Sequence, residues 1–309
     1  MSKIAFVFPG QGAQYVGMGE ELSKEYPVAS EVFEQASEAI GYNMKELCFN
    51  SSAEELKLTE KTQPSILTAS IAIYKVMLEK GIKPEAVAGL SLGEYSALVA
   101  SGVLDLSDAV RVVRQRGKYM QEEVPIGIGG MAAILGLEGS LVEEACSETE
   151  GVVEPANYNC PGQLVIAGEI AAVEAAAEKC REKGAKKAVM LPVSAPFHTS
   201  MLKGAGEKLA VEFEGVTFGN MTYPIVANVT AGYVDNKDAV KDLLIDQVSS
   251  PVKWEMSIRK LIEDGYDTFI EIGPGKALSK FIKKISREVT ILNVEDVASL
   301  EKTLSKLEA

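Results

Sequence analysis

The sequence predicts an α/β protein in which a parallel-sheet domain is interrupted by a smaller α+β unit. Three observations carry this. Short apolar runs alternate with amphipathic helical patterns at both ends of the chain. The texture changes at "VPIGIGGM" (124–131), and the order beyond it is strand, helix, strand, strand, helix, strand. Finally, 309 residues with 47% hydrophobic side chains are enough for two cores.

The elements follow in order. "KIAFVF" (3–8) is a buried strand ended by Pro9 and Gly10. Short helical patterns fill 16–59, and "QPSILTASIAIYKVMLEKG" is a long helix stopped by Gly81. "AVAGLS" is a second buried strand, feeding a helix from Leu92. "LSDAVRVVRQRGKYMQEE" is amphipathic, with Ser107 as its expected N-cap. The insert then reads strand 131–137, helix 140–150, strands 152–158 and 163–169, helix 170–183 and strand 187–193, a ferredoxin-like order. The larger pattern resumes with helix 200–213, strand "PIVANV", helices near 238–248 and 252–264, strand "TFIEIG", helix 276–286, strand "TILNV" and a last helix. The expected division is a discontinuous large domain, 1–125 and 195–309, and a small domain, 126–194.

Composition excludes several functions. The chain carries 31 basic and 44 acidic residues, a net charge of −13, so a broad nucleic-acid surface is not expected. No apolar run reaches the roughly 18 residues of a membrane span. No signal peptide is expected from the start "MSKIAFVFPGQG". Cys48, Cys146, Cys160 and Cys180 lack C-x-x-C spacing, which argues against zinc and for reduced thiols in a cytoplasmic protein. His198 is the only histidine, so any step that needs imidazole must use it.

The chemistry starts at "AVAGLSLGEYSALVA" (86–100), where Ser91 stands between Gly89 and Gly93. A serine at a strand end can simply cap the following helix. It can also be a nucleophile on a strand–turn–helix elbow, with the helix N-terminus aimed at a developing oxyanion. As nucleophile it needs a base, and His198, in "LPVSAPFHTSM", lies at an element boundary and follows it in the order of α/β-hydrolases. No aspartate completes a triad, because Asp105 and Asp108 belong to a helix start. Arg116 falls in the apolar stripe formed by Ala109, Val112, Val113, Tyr119 and Met120, while Arg111, Arg114 and Lys118 fall opposite. A buried guanidinium needs a partner. Either a protein acid or a substrate carboxylate fits. The loop "FPGQGAQYVGMG" (8–19) follows the first strand and can bring a second backbone N–H to the site.

In order along the chain, "FPGQGAQ", "GLSLGEYSAL", "RQRG", "GGMAAI", "NYNCPGQLVIAG", "LPVSAPFHTSM", "DQVSSPVKW" and "EIGPGKAL" resemble the malonyl-CoA:acyl carrier protein transacylases, acyltransferases of fatty-acid and polyketide synthesis. The resemblance covers nearly the whole chain. It implies an α/β-hydrolase-like large domain and a ping-pong transfer of malonyl from coenzyme A to the phosphopantetheine thiol of acyl carrier protein. By the same resemblance Ser91 is acylated, His198 is base and then acid, and a carbonyl of Gln247 holds the histidine. Gln11 and Leu92 supply oxyanion N–H groups, and Arg116 clamps the malonyl carboxylate. Phe197, directly before the histidine, goes with malonyl rather than methylmalonyl. Asn157 and Asn159 lie near the active-site mouth. No cofactor is expected beyond the two substrates, and the chain is expected to act as a monomer. Basic clusters at 179–187 and 276–287 are candidate docking faces for the acidic carrier. The rivals are an acyl-CoA thioesterase or esterase using the same serine, and a carrier-binding module without catalysis.

Overall fold

The computed structural model describes residues 2–193 and 195–308. Met1, Ser194 and Ala309, which fall at ends of the expected domain segments, lie outside the described residues. The chain opens with strand β1 (Ile4–Phe8), followed by helices α1 (Glu20–Glu25), α2 (Pro27–Ile40), α3 (Met44–Asn50), α4 (Ala53–Leu56) and α5 (Thr59–Glu79). Strand β2 (Ala86–Gly89) leads into α6 (Leu92–Ala100) and α7 (Leu106–Glu122). Next come β3 (Gly129–Leu135), α8 (Gly139–Ser147), β4 (Val153–Cys160), β5 (Gln163–Glu169), α9 (Ile170–Glu182) and β6 (Lys187–Met190). The return is α10 (Lys203–Glu212), β7 (Ile225–Val226), α11 (Val240–Val248), α12 (Trp254–Glu263), β8 (Thr268–Ile272), α13 (Ala277–Ile285), β9 (Thr290–Val294) and α14 (Val297–Leu307).

Two sheets organise these elements. The first is parallel, in the order β7-β2-β1-β8-β9. Alternation along its strands divides the core. Phe6, Phe8 and Val87 pack under the helices of one layer, while Ala5, Val7 and Ala88 face Trp254 and Ile258 on the other. Both faces are covered, as a parallel sheet requires. The second sheet is antiparallel, in the order β4-β5-β3-β6, and α8 and α9 close its core around Val142, Ile166 and Val173. That order is the ferredoxin-like arrangement expected from the strand–helix sequence. No helix among the described residues is long and apolar enough to cross a membrane.

Two local expectations are corrected. Asp105, not Ser107, caps α7: its extended backbone precedes the helix and its carboxylate accepts from the Ser107 N–H at 2.8 Å. An aspartate one residue before the helix reaches the free N–H groups, and Ser107 is already inside the first turn. The strand expected over "PIVANV" is only two residues long, because the chain leaves the ladder to turn Asn228 under the β2–α6 turn.

The carboxyl ends of the parallel strands create the site. Here β2 turns abruptly into α6, and the backbones of neighbouring segments nearly touch. A Cβ on Gly93 would lie 2.0 Å from the Phe8 carbonyl oxygen, and one on Gly89 would lie 1.9 Å from the Gly93 carbonyl carbon. Only glycine fits at either position.

Candidate active site

Ser91 sits at this turn with φ 52° and ψ −106°. A positive φ on a non-glycine residue costs on the order of 1–3 kcal/mol and needs support from its surroundings. Asn228 and Gln247 provide it. Asn228 Oδ1 accepts from the Ser91 N–H at 2.6 Å, and Gln247 Nε2 donates to the Ser91 carbonyl at 3.0 Å. Asn228 Nδ2 is held in turn by the Gly89 carbonyl at 2.6 Å. The Ser91 hydroxyl makes no capping bond to the helix, so the simple cap reading fails.

Instead the Oγ lies 2.7 Å from His198 Nε2. His198 Nδ1 lies 2.8 Å from the backbone carbonyl of Gln247. A carbonyl can only accept, so Nδ1 carries the hydrogen and the Nε2 lone pair faces the serine hydroxyl. No aspartate is needed to set this tautomer. His198 also has a positive φ, 64°. Its loop is secured from the second sheet: Glu154, on β4, accepts from the Ser200 N–H at 2.9 Å and from the Ser200 hydroxyl. The same strand exchanges backbone bonds with Val252, from Val252 N to Ala156 O and from Tyr158 N to Val252 O, each 2.9 Å. Thus β4 braces both the histidine loop and the segment after Gln247.

Arg116 comes from α7 and is only 2% exposed. Nη1 donates to Gln63 Oε1 at 2.8 Å, and Nη2 donates to Gln247 Oε1 at 3.0 Å and to Ser91 Oγ at 3.1 Å. The guanidinium lies over the Tyr95 ring, 5.4 Å from its centroid. No carboxylate of a described residue comes within the 4.0 Å of an ion pair. The nearest protein acid in the site, Glu94, acts on Arg116 only at a distance, with the Gln247 amide bonded to both. Arg114, on the opposite face of α7, is half-buried against the Tyr42 ring.

Burial and the Arg116 charge both disfavour imidazolium and push His198 down to about 3. The ring is then neutral, and able to accept a proton, across the physiological range. Burial acts oppositely on Glu94, which lies beneath the turn and is pushed up to about 7 against the hydrogen bonds from Gln247 and Asn228 and the Arg116 charge. Because His198 is the sole histidine, its imidazole resonances can be followed without ambiguity. They are expected to hold neutral positions as the pH falls from 8 to about 5, and a midpoint near the ordinary 6.5 would contradict this environment.

A cavity of about 910 Å³ opens onto Ser91, His198 and Arg116. Gln11, Phe197, Asn157 and Asn159 line it, Gln11 on the loop after β1 and the asparagines on β4. Leu92 has a fully buried side chain, and its N–H, in the first helical position, has no acceptor within α6. Among the residues that converge here, Gln63 and Asn228 belong to none of the quoted motifs, and Glu94 lies inside "GLSLGEYSAL" without a role assigned from the sequence. Gln63 shares α5 with other buried polar residues, Thr62, Ser65 and Thr68 among them, so its place in a largely apolar helix does not single it out.

A serine hydroxyl on a strained elbow, a neutral imidazole held by a carbonyl, and a guanidinium bonded directly only to neutral oxygens define a serine-dependent acyl-transfer centre. Residues 5–306 match the acyl transferase domain family, and the chain belongs to it. It is 46% identical over 310 residues to the malonyl CoA-acyl carrier protein transacylase of Bacillus subtilis, covering 99% of this chain and 98% of that one. It is 47% identical to the protein of the same name from Escherichia coli, covering 98% and 99%. Among solved structures, the Clostridium perfringens malonyl CoA-acyl carrier protein transacylase superposes with a TM-score of 0.96 at 50% identity, covering 99% and 98%. A type II PKS acyl-carrier protein in complex with its malonyl-transacylase includes a chain that superposes with a TM-score of 0.96 at 43% identity, covering 99% and 100%.

Proposed function

We propose that the protein transfers malonyl from malonyl-CoA to the phosphopantetheine thiol of acyl carrier protein, supplying extender units for fatty-acid synthesis. The observation that carries the choice of acyl group is the buried Arg116 guanidinium, 3.1 Å from the nucleophile and bonded only to neutral oxygens. It offers a carboxylate on the acyl chain a charge and two N–H donors.

The steps follow from the positions. His198 Nε2 takes the Ser91 proton as Oγ attacks the thioester carbonyl. The backbone N–H groups of Gln11 and Leu92 hold the resulting oxyanion. The C–S bond breaks, and Nε2 returns the proton to the departing coenzyme A sulfur, leaving malonyl-Ser91. The carrier's thiol then gives its proton to Nε2 and attacks the ester carbonyl, the C–Oγ bond breaks, and Nε2 returns the proton to Ser91 Oγ. No cofactor enters this exchange. Phe197 narrows the cavity beside the histidine and disfavours a branched acyl group, while Asn157 and Asn159 offer amides to a pantetheine arm.

The carrier docks on α13. Leu278 and Phe281 of this helix line the cavity, and Lys280, Lys283 and Lys284 are exposed along it. The 179–187 cluster is less suited, since Lys183 pairs with Glu144 and Glu148 and Arg181 with Glu178. The free thiols of Cys48, Cys146, Cys160 and Cys180 suit a reducing, cytoplasmic compartment.

Incubation with malonyl-CoA and holo-acyl carrier protein is expected to give malonyl-carrier faster than free malonate. Hydrolysis that outruns transfer would turn the reading to a thioesterase.

A further inference from the structure

The hydrogen-bond partners of Arg116, Gln63, Gln247 and Ser91, share one property: each accepts and none carries charge. Their orientation is set independently of Arg116. Gln247 Nε2 donates to Glu94 Oε2 at 2.6 Å, so its Oε1 must face the guanidinium. Gln63 is 1% exposed on α5, and its Nε2 points to Met120 Sδ at 3.9 Å, which leaves Oε1 for Arg116 Nη1. A carboxylate fits the same space as the Gln63 amide. It would make a buried ion pair with Arg116 at the 2.8 Å now spanned by the amide oxygen.

We propose that Gln63 is a specificity-determining residue, a neutral acceptor that aims the Arg116 guanidinium at the cavity and leaves its charge for the carboxylate of the acyl group. The proposal rests on the malonyl-transfer reading above. Its chemistry is a matter of which anion satisfies the guanidinium. With an amide at position 63, only the substrate can supply one in direct contact. With a carboxylate there, the guanidinium is satisfied by the protein. An incoming malonyl group then meets a like charge as well as an occupied donor. An acetyl group has no carboxylate and meets neither obstacle.

The test compares kcat/KM for malonyl-CoA and acetyl-CoA, with carrier as acceptor, in the wild type, Gln63→Glu, Gln63→Met and Arg116→Ala. Gln63→Glu is expected to lower malonyl transfer by about 100-fold and acetyl transfer by less than about 10-fold. Gln63→Met removes the acceptor without adding charge and is expected to lower malonyl transfer by about 10-fold. Equal losses for the two acyl groups in Gln63→Glu, or retention of malonyl transfer within about threefold, would overturn the proposal. Melting temperatures report folding. Should Gln63→Glu not fold, Gln63→Met decides, and equal losses there overturn the proposal too. Arg116→Ala separates the two levels. If it is selective for malonyl while the Gln63 variants are not, the role of Gln63 fails alone. If it is not selective, the carboxylate clamp itself fails.

Discussion

Replacing Ser91 by alanine is expected to lower malonyl transfer by on the order of 10⁴-fold or more. The fold should survive, because the side chain makes no capping bond and the backbone bonds to Asn228 and Gln247 do not involve it. Alanine also suffers the positive φ no worse than serine does. What disappears is the hydroxyl that faces His198 Nε2 and would carry the acyl group. By the proposed mechanism, the variant keeps the cavity for the thioester and the oxyanion donors. Without a nucleophile these can assist only a direct attack by the carrier thiol, which the geometry does not arrange. Steady-state transfer measured alongside a melting curve checks the loss at preserved stability.

Arg116→Ala is the second large effect. Each hydrogen bond to a charged partner is worth about 1.5–3 kcal/mol, so two of them on a malonyl carboxylate amount to about 10²–10⁴-fold, with about 1.36 kcal/mol per tenfold. Acetyl transfer lacks those bonds and should fall far less. Some loss is expected for both acyl groups, because Arg116 also donates to Ser91 Oγ and packs on Tyr95. The ratio of malonyl to acetyl transfer isolates the clamp, and an unchanged ratio would remove it. The loss of the guanidinium also removes one cause of the depressed His198 basicity, which can only raise the imidazole pKa.

Much of the architecture is legible in the sequence because its signals are local. Apolar runs end in glycine or proline, helical stripes keep their period, and the insert announces itself by a change of order. What fails is local too. Aspartate and serine two residues apart are both good caps, and only the backbone at Asp105 decides between them. "PIVANV" has the composition of a strand, but its latter half bends to serve Ser91. The site divides the same way. Ser91, His198 and Arg116 stand out by a glycine-flanked turn, a unique imidazole and a charge in an apolar stripe. Gln63, Glu94 and Asn228 do not stand out, because their meaning lies in partners 53 to 153 residues away. Glu94, one more acid in a chain with many, becomes notable only once it is fully buried against the Gln247 amide.

The covalent intermediate is the center of the account, and the mass of the intact protein reports it directly. Mixed with malonyl-CoA alone, the wild type is expected to gain a single malonyl group, mapped by peptide analysis to Ser91. Holo-carrier added afterwards should remove it as malonyl-carrier forms, and the alanine variant should never acquire it. Malonyl-carrier that forms at full rate with no malonyl ever detected on the protein would contradict the account.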